Sequence, residues 1–174
     1  GSYFNSGQSC CGIERIYVDE SIFDNFIEAF KIQTEKYNLD NPLDESTNLG
    51  PVVKLSAANN IRNQVLKAIN EGAKNIIDGS KFKKDNLENC YVSPSALINV
   101  SHDMEFMMEE TFGPTVGIMK VKNEKDAEVL MNDSSYGLTA SVWTSDKEFA
   151  ANFGNKIQTG TFFMNRCDYL DPGL

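Results

Sequence analysis

The chain has 174 residues, the size of one domain, and its 41% hydrophobic and 24% charged residues are typical of a globular protein. Its formal net charge of -9 argues against nucleic-acid binding, because the neutralisation of phosphates requires clustered Lys and Arg. No apolar run reaches the roughly 18 residues of a membrane span. We therefore expect neither a nucleic acid nor a membrane as a partner.

Predicted strands and helices alternate along the chain. Strands are expected at 13–18, 75–78, 91–100, 115–121, 138–144 and 160–165, and helices at 21–37, 54–71, 124–131 and 146–155. Pro94 indicates that the strand at 91–100 lies at a sheet edge or is interrupted. The alternation predicts an α/β fold, with a largely parallel, twisted sheet and flanking helices.

Four cysteines lie at positions 10, 11, 90 and 167, without the spacing of a disulfide-rich secreted domain. We therefore expect a reducing compartment, most simply the cytoplasm, with the mitochondrial matrix as another such compartment. No pair has zinc-ligand spacing, and His102 is the single histidine, so no metal site is predicted. His102 itself is interpreted as a surface or capping residue.

Cys10 is the candidate nucleophile. It lies in a polar, glycine-flanked stretch, GQSCCG, where its thiol can be exposed and where backbone N–H groups can stabilise an oxyanion. Gly7 would permit unusual backbone angles and the close approach of a substrate. From these residues alone, Cys10 could equally be a passive turn residue, and Cys11 and Cys167 are interpreted as neutral fillers.

A second candidate region is MMEETFGPTVGI. Glu109 and Glu110 could do acid–base work, although a solvated helix end is the commoner role of such a pair. Phe112, beside Gly113 and Pro114, could pack in the core or form a platform for a flat ligand. Spacing alone does not decide between these alternatives.

Taken together, four stretches resemble the aldehyde dehydrogenase superfamily in the order and spacing of their motifs. FNSGQSCCGIER resembles the active-site cysteine signature, and EETFGP resembles the Glu-x-Phe-Gly-Pro segment. The other two stretches are NLGPVV and NDSSYGLTASVWTSD. The resemblance covers nearly the whole chain and implies the fold of that family's catalytic domain.

The resemblance also implies roles for individual residues. Cys10 would be the nucleophile and Arg15 the arginine that follows it, while Glu110 would bind the nicotinamide ribose of NAD or NADP and Phe112 would flank the nicotinamide. Residues that line the aldehyde tunnel of the family correspond here to Ser9, Cys11, Asp168, Tyr169 and Leu170. Their polarity suggests a polar or charged aldehyde as the small-molecule substrate.

By the same resemblance, residues 1–174 form a catalytic domain truncated at both ends, without the nucleotide-binding domain. The oxyanion-hole asparagine and the glutamate general base would lie upstream, so we expect the isolated chain to be inactive. The parent enzyme would be a homodimer or homotetramer. Two alternatives stay open: a non-catalytic scaffold or binding domain with the same fold, and a Cys-Cys redox or metal module.

Overall fold

The larger of two β-sheets has the strand order β1-β4-β3-β2. A computed structural model describes residues 1–167 and places these strands at Arg15–Asp19 (β1), Lys74–Asn75 (β2), Ser95–Ile98 (β3) and Thr115–Val121 (β4). β4 pairs in parallel with both β1 and β3, and only the short β2 runs antiparallel. The predicted largely parallel sheet is therefore confirmed.

The smaller sheet contains two parallel strands, β5 (Thr139–Val142) and β6 (Thr161–Met164). Helix α5 (Lys147–Gly154) connects them, and Asp146 caps its first turn by accepting a hydrogen bond from the N–H of Phe149. This β-α-β unit follows the usual rule that parallel strands need a crossover connection.

The remaining helices flank the larger sheet, and the three longer ones match predicted helices. They are α1 (Phe23–Thr34), α2 (Leu55–Asn70), the single turn α3 (Glu105–Met108) and α4 (Glu124–Asn132). One core cluster lies between α1 and the sheet, where Phe23 and Val18 pack with Val116 and Ile118. A second cluster lies on α2 and α3 and includes Ala68, Leu97, Phe106 and Met107.

Of the two alternatives for the strand at 91–100, the structure shows the interrupted strand, since β3 begins directly after Pro94 and is an interior strand. The proline is tolerated because it precedes the first ladder residue, Ser95, whose N–H donates to the carbonyl of Pro114. The short α3 was not predicted, because one helical turn is too brief for a periodic pattern.

Candidate active site

The candidate nucleophile follows a tight turn at the start of the chain. Phe4–Gly7 forms a short 3-10-type turn in which Asn5, Ser6 and Gly7 all have positive φ values, of 50°, 57° and 73°. Two of these three residues carry side chains in a backbone region that favours glycine. Such a conformation persists only where surrounding contacts hold it.

Those contacts come first from the NLGPVV loop. Ser6 Oγ donates to the carbonyl of Gly50 at 2.7 Å, and the side-chain carbonyl of Gln8 accepts from the N–H of Val53 at 2.7 Å. The Gln8 amide also donates to the carbonyls of Asn5 and Pro51. Two stretches that the sequence analysis treated as separate motifs thus form one hydrogen-bonded unit.

Gly7 provides the second support, through its contact with the Gly113–Pro114 turn. A Cβ added at Gly7 would lie 1.8 Å from the carbonyl oxygen of Gly113, so no other residue fits without a backbone shift. The sequence analysis expected Gly7 to permit unusual backbone angles, and its φ of 73° confirms this. The space that its missing side chain frees is taken up by Gly113.

Beyond this turn, the side chain of Cys10 is exposed and lines a cleft of about 1100 Å³. Within residues 1–167 the N–H of Cys10 has no hydrogen-bond acceptor, whereas the N–H of Gly12 donates to the carbonyl of Ser9. Ser9 lines the same cleft, and its hydroxyl lies 3.2 Å from the Cys11 sulfur. An accessible thiol with a free backbone donor can attack a carbonyl and bind the oxyanion that forms.

The Glu110–Phe112 loop lies beside the turn that precedes Cys10, because Gly7 of that turn contacts Gly113. Glu109 and Glu110 are exposed at the end of α3, as expected for a solvated helix end, and both line the cleft that Cys10 lines. Phe112 has a φ of 53° and a 41% exposed side chain, so it is not a core residue. Among the described residues, the structure therefore brings Cys10 and Glu110 to one cleft and leaves an aromatic ring accessible on the same loop.

Glu14 is a residue that the sequence analysis missed. Its carboxylate accepts hydrogen bonds from the N–H groups of Thr111 at 2.8 Å and Phe112 at 2.9 Å. Burial raises the pKa of this carboxyl above its ordinary value. A glutamate next to an arginine in a strand-like run gives no sign of such a long-range contact.

His102 also differs from the expectation, because it is neither a surface nor a capping residue. Its side chain is only 11% exposed, with Nδ1 2.7 Å from an Asp133 carboxylate oxygen and Nε2 2.8 Å from the Tyr17 hydroxyl. Arg15 donates to the backbone carbonyl of Asp133 at 3.1 Å. This cluster joins β1 to the end of α4, a tertiary contact that no local pattern predicts.

The other predicted tunnel residues are placed only in part. Cys11 is partly buried and does not line the cleft that Ser9 lines, within the part of the chain that the structure describes. Asp168, Tyr169 and Leu170 lie outside the described residues. None of the four cysteines, all within residues 1–167, takes part in a disulfide.

Two further features concern residues 1–167 as a whole. No group of three or more His, Cys, Asp or Glu side chains there could hold a metal ion. In the same residues, every helix is too short or too polar to cross a bilayer.

The largely parallel α/β fold defines the class of protein, and comparisons with known proteins identify the family. Residues 1–173 match the aldehyde dehydrogenase family, and the chain belongs to this family. A 3-sulfolactaldehyde dehydrogenase of Priestia aryabhattai is 35% identical over 99% of this chain and 36% of its own length.

Solved structures agree with this assignment. The succinic semialdehyde dehydrogenase of Streptococcus pyogenes, solved with NADP+, superposes with a TM-score of 0.90 at 28% identity, over 99% of this chain and 38% of that chain. The betaine aldehyde dehydrogenase of Staphylococcus aureus, solved with NAD+, superposes with a TM-score of 0.87 at 31% identity, over 98% of this chain and 34% of that chain. The chain thus spans a little more than a third of the length of the relatives that it matches, and its fold is that of aldehyde dehydrogenases.

Proposed function

We propose that this chain is the thiol-bearing part of an NAD(P)-dependent aldehyde dehydrogenase that oxidises an aldehyde to a carboxylic acid. The observation that carries the proposal is the exposed Cys10, held after an anchored turn and opening onto the same cleft as Glu110. The turn is fixed by Ser6, Gly7 and Gln8, so the thiol is positioned by contacts that do not involve its own side chain.

The chemistry assigned to Cys10 begins with attack of its thiolate on the aldehyde carbon. A C–S bond forms, the carbonyl π bond breaks, and the N–H of Cys10 donates to the resulting oxyanion of the thiohemiacetal. Loss of a hydride from that carbon gives a thioester, and attack by water releases the acid and restores the thiol. Cys10 therefore both activates the substrate and retains it between the two halves of the reaction.

The cofactor assigned to this family fits the residues that are present. Glu110 offers an exposed carboxylate that can accept hydrogen bonds from ribose hydroxyls, and Phe112 offers an accessible aromatic face. When bound, NAD or NADP supplies the hydride acceptor. The relatives solved with NADP+ and with NAD+ support either dinucleotide, so the proposal does not choose between them.

A polar or charged aldehyde is the proposed substrate class. Ser9 lines the cleft beside Cys10 and gives its wall a hydroxyl group. The names of two relatives, a 3-sulfolactaldehyde dehydrogenase and a succinic semialdehyde dehydrogenase, denote charged aldehydes and support this choice. We assign no substrate role within the structure to Cys11, which lies away from the cleft.

We expect these 174 residues alone to show no measurable NAD-linked turnover. The resemblance places the asparagine oxyanion donor and the glutamate base in other parts of such enzymes, and each loss has a large effect. Loss of one oxyanion donor costs about 10²–10³ in rate, and loss of a general base costs about 10²–10⁴. We propose a homodimeric or homotetrameric parent enzyme in a reducing compartment such as the cytoplasm, and four cysteines without a disulfide among them support this compartment.

The test is alkylation of the purified chain with limiting iodoacetamide at neutral pH, mapped by peptide mass spectrometry. We expect Cys10 to be labelled before Cys11, Cys90 and Cys167, because only Cys10 is exposed among these described cysteines. A Cys10→Ser variant should lose the fast phase and keep the slow one. Equal labelling of all four thiols would contradict the proposal and favour a scaffold domain that kept the fold.

A further inference from the structure

One carboxylate connects the nucleophile segment to the Glu110–Phe112 loop. Glu14 lies four residues after Cys10, and its backbone carbonyl accepts from the N–H of Gly117 on β4. Its side-chain oxygens accept from two successive N–H groups, with Oε2 bonded to Thr111 and Oε1 to Phe112. Glu14 thus holds the loop from a fixed backbone position.

The two hydrogen bonds from Thr111 and Phe112 to Glu14 stabilise the strained part of the loop. Phe112 has a φ of 53°, a left-handed conformation that a phenylalanine avoids without tertiary contacts. Thr111 is 5% exposed, so water cannot replace the carboxylate at its N–H. Without Glu14, one buried donor would lose its acceptor and the conformation of Phe112 would lose its constraint.

The surroundings of the Glu14 side chain disfavour its ionised form. Burial raises the pKa of Glu14, and the like charge of Glu110 acts in the same direction, whereas the two N–H groups and Arg15 oppose the shift. Because the pKa of Glu14 is higher in the folded than in the unfolded chain, the protonated side chain stabilises the fold more than the ionised side chain does. This extra stability is lost as the pH rises through the folded pKa. Folding therefore does not favour the ionised form of Glu14.

We propose that Glu14 is a positioning residue that fixes the Glu110–Phe112 loop in the shape that receives the nicotinamide ribose. The proposal rests on the proposed function, which gives Glu110 and Phe112 their contact with the cofactor. Glu14 lines the same cleft as Cys10 and acts on the loop through its hydrogen bonds to the N–H groups of Thr111 and Phe112. Its side chain links the position of the cofactor to the strand that follows the nucleophile.

The variant that tests this is Glu14→Gln, which keeps the size of the side chain and removes its charge and one of its two acceptor oxygens. Glu20→Gln is the matched control, because Glu20 is an exposed glutamate directly after β1. Amide hydrogen exchange of Thr111 and Phe112 measures the loop, and a titration with nicotinamide mononucleotide, followed by NMR at the same amides, measures the cofactor contact. This probe carries the nicotinamide ribose and its 5′-phosphate without the adenosine half of the dinucleotide, so the 174-residue chain can be used as it is.

In Glu14→Gln we expect exchange of the Thr111 and Phe112 amides to rise at least 10-fold and the dissociation constant for nicotinamide mononucleotide to rise at least 5-fold. The thermal midpoint at pH 7 should stay within about 3 °C of wild type. Glu20→Gln should match wild type in all three measurements. In wild type, protection of the two amides should also fall as Glu14 is protonated in acid, and this pH dependence should vanish in Glu14→Gln.

Unchanged amide exchange and unchanged probe binding in Glu14→Gln would overturn the inference. A general loss of amide protection with a lowered thermal midpoint would also overturn it, because that result indicates a structural role only. Failure of the proposed function looks different. In that case the wild-type chain would show no saturable response to the probe, and the cofactor contact of Glu110 and Phe112 would be wrong even if Glu14→Gln loosened the loop.

Discussion

Gly7 is the residue on which the position of Cys10 depends most directly. Its backbone is left-handed, and the carbonyl oxygen of Gly113 occupies the space where a side chain would begin. The same contact joins the nucleophile turn to the Glu110–Phe112 loop. A single methyl group at this position would therefore disturb both halves of the candidate site.

We expect Gly7→Ala to lower the free energy of unfolding by at least about 2 kcal/mol, from the left-handed backbone and the overpacked contact together. The fast alkylation of Cys10 should also be lost in the Gly7→Ala variant. Gly79→Ala is the matched control, because a Cβ at Gly79 meets nothing within 4 Å and its φ is not in the left-handed region. Urea denaturation of both variants makes the comparison, and equal stability of the two would show that the Gly7 contact is not tight.

Part of the candidate site around Cys10 could be predicted from the residues themselves, and another part could not. The glycine-flanked pattern around Cys10 was visible in the sequence, and so was the need for Gly7. The left-handed Asn5 and Ser6 were not, because their conformation is imposed by Gly50 and Val53, more than 40 positions along the chain. Local propensity cannot report a constraint that comes from another loop.

At the scale of elements, Arg62 on α2 holds the long connection before β3. Its guanidinium donates to Asp85 and to the backbone carbonyls of Asn86, Asn89 and Tyr91. The second oxygen of Asp85 accepts from the N–H of Ser93. One arginine thus supplies the hydrogen bonds that a segment without regular structure cannot make internally.

We expect Arg62→Met to destabilise the fold by about 3–5 kcal/mol, because it leaves the partly buried Asp85 carboxylate and three carbonyls without their donor. Lys67→Met, on the same helix, removes an ion pair with Glu105 whose side chains are about half exposed, and should cost much less than Arg62→Met. Thermal unfolding of the two variants gives the comparison. A loss at Arg62 no larger than that at Lys67 would contradict this account of the connection.

Most elements were predictable because their patterns are long. Helices α1 and α2 and strand β4 carry enough periodic apolar residues to define them, and β4 was predicted with its observed bounds. The strands that pair with β3 in the sheet could not be predicted from such patterns. Pro94 restricts its own residue, whereas the place of a strand in a sheet depends on which other strands reach it.

At the scale of the whole molecule, polar contacts connect β1 to the end of α4 on the wall of the cleft. Tyr17 is central to them, because its hydroxyl lies 2.8 Å from His102 Nε2 and 3.3 Å from the carbonyl of Leu130. Burial raises the pKa of Tyr17 to about 12. The folded state therefore holds the tyrosine proton more tightly than the unfolded chain does.

This shift predicts a loss of stability in alkali. Between pH 10 and about pH 12 the unfolded chain releases the Tyr17 proton and the folded chain keeps it, so the free energy of unfolding falls as the pH rises. Urea denaturation at pH 9, 10 and 11 should show a shallower decline for Tyr17→Phe than for wild type. Tyr136→Phe, at a half-exposed tyrosine, should decline like wild type, and the same slope in all three proteins would refute the prediction.

The sequence by itself determined the α/β class, the main helices and strands, and the candidate residues Cys10, Glu110 and Phe112, because apolar periodicity and short motifs are properties of neighbouring residues. The tertiary structure alone decided that Gly7 packs against Gly113, that Glu14 holds a loop 97 positions away, and that His102 lies between Tyr17 and Asp133. These contacts join segments that meet only when β1 pairs with β4, about a hundred residues later in the chain. The physical reason is that a side chain's hydrogen-bond partner is set by the packing of distant elements, and its own neighbours in sequence carry no record of that packing.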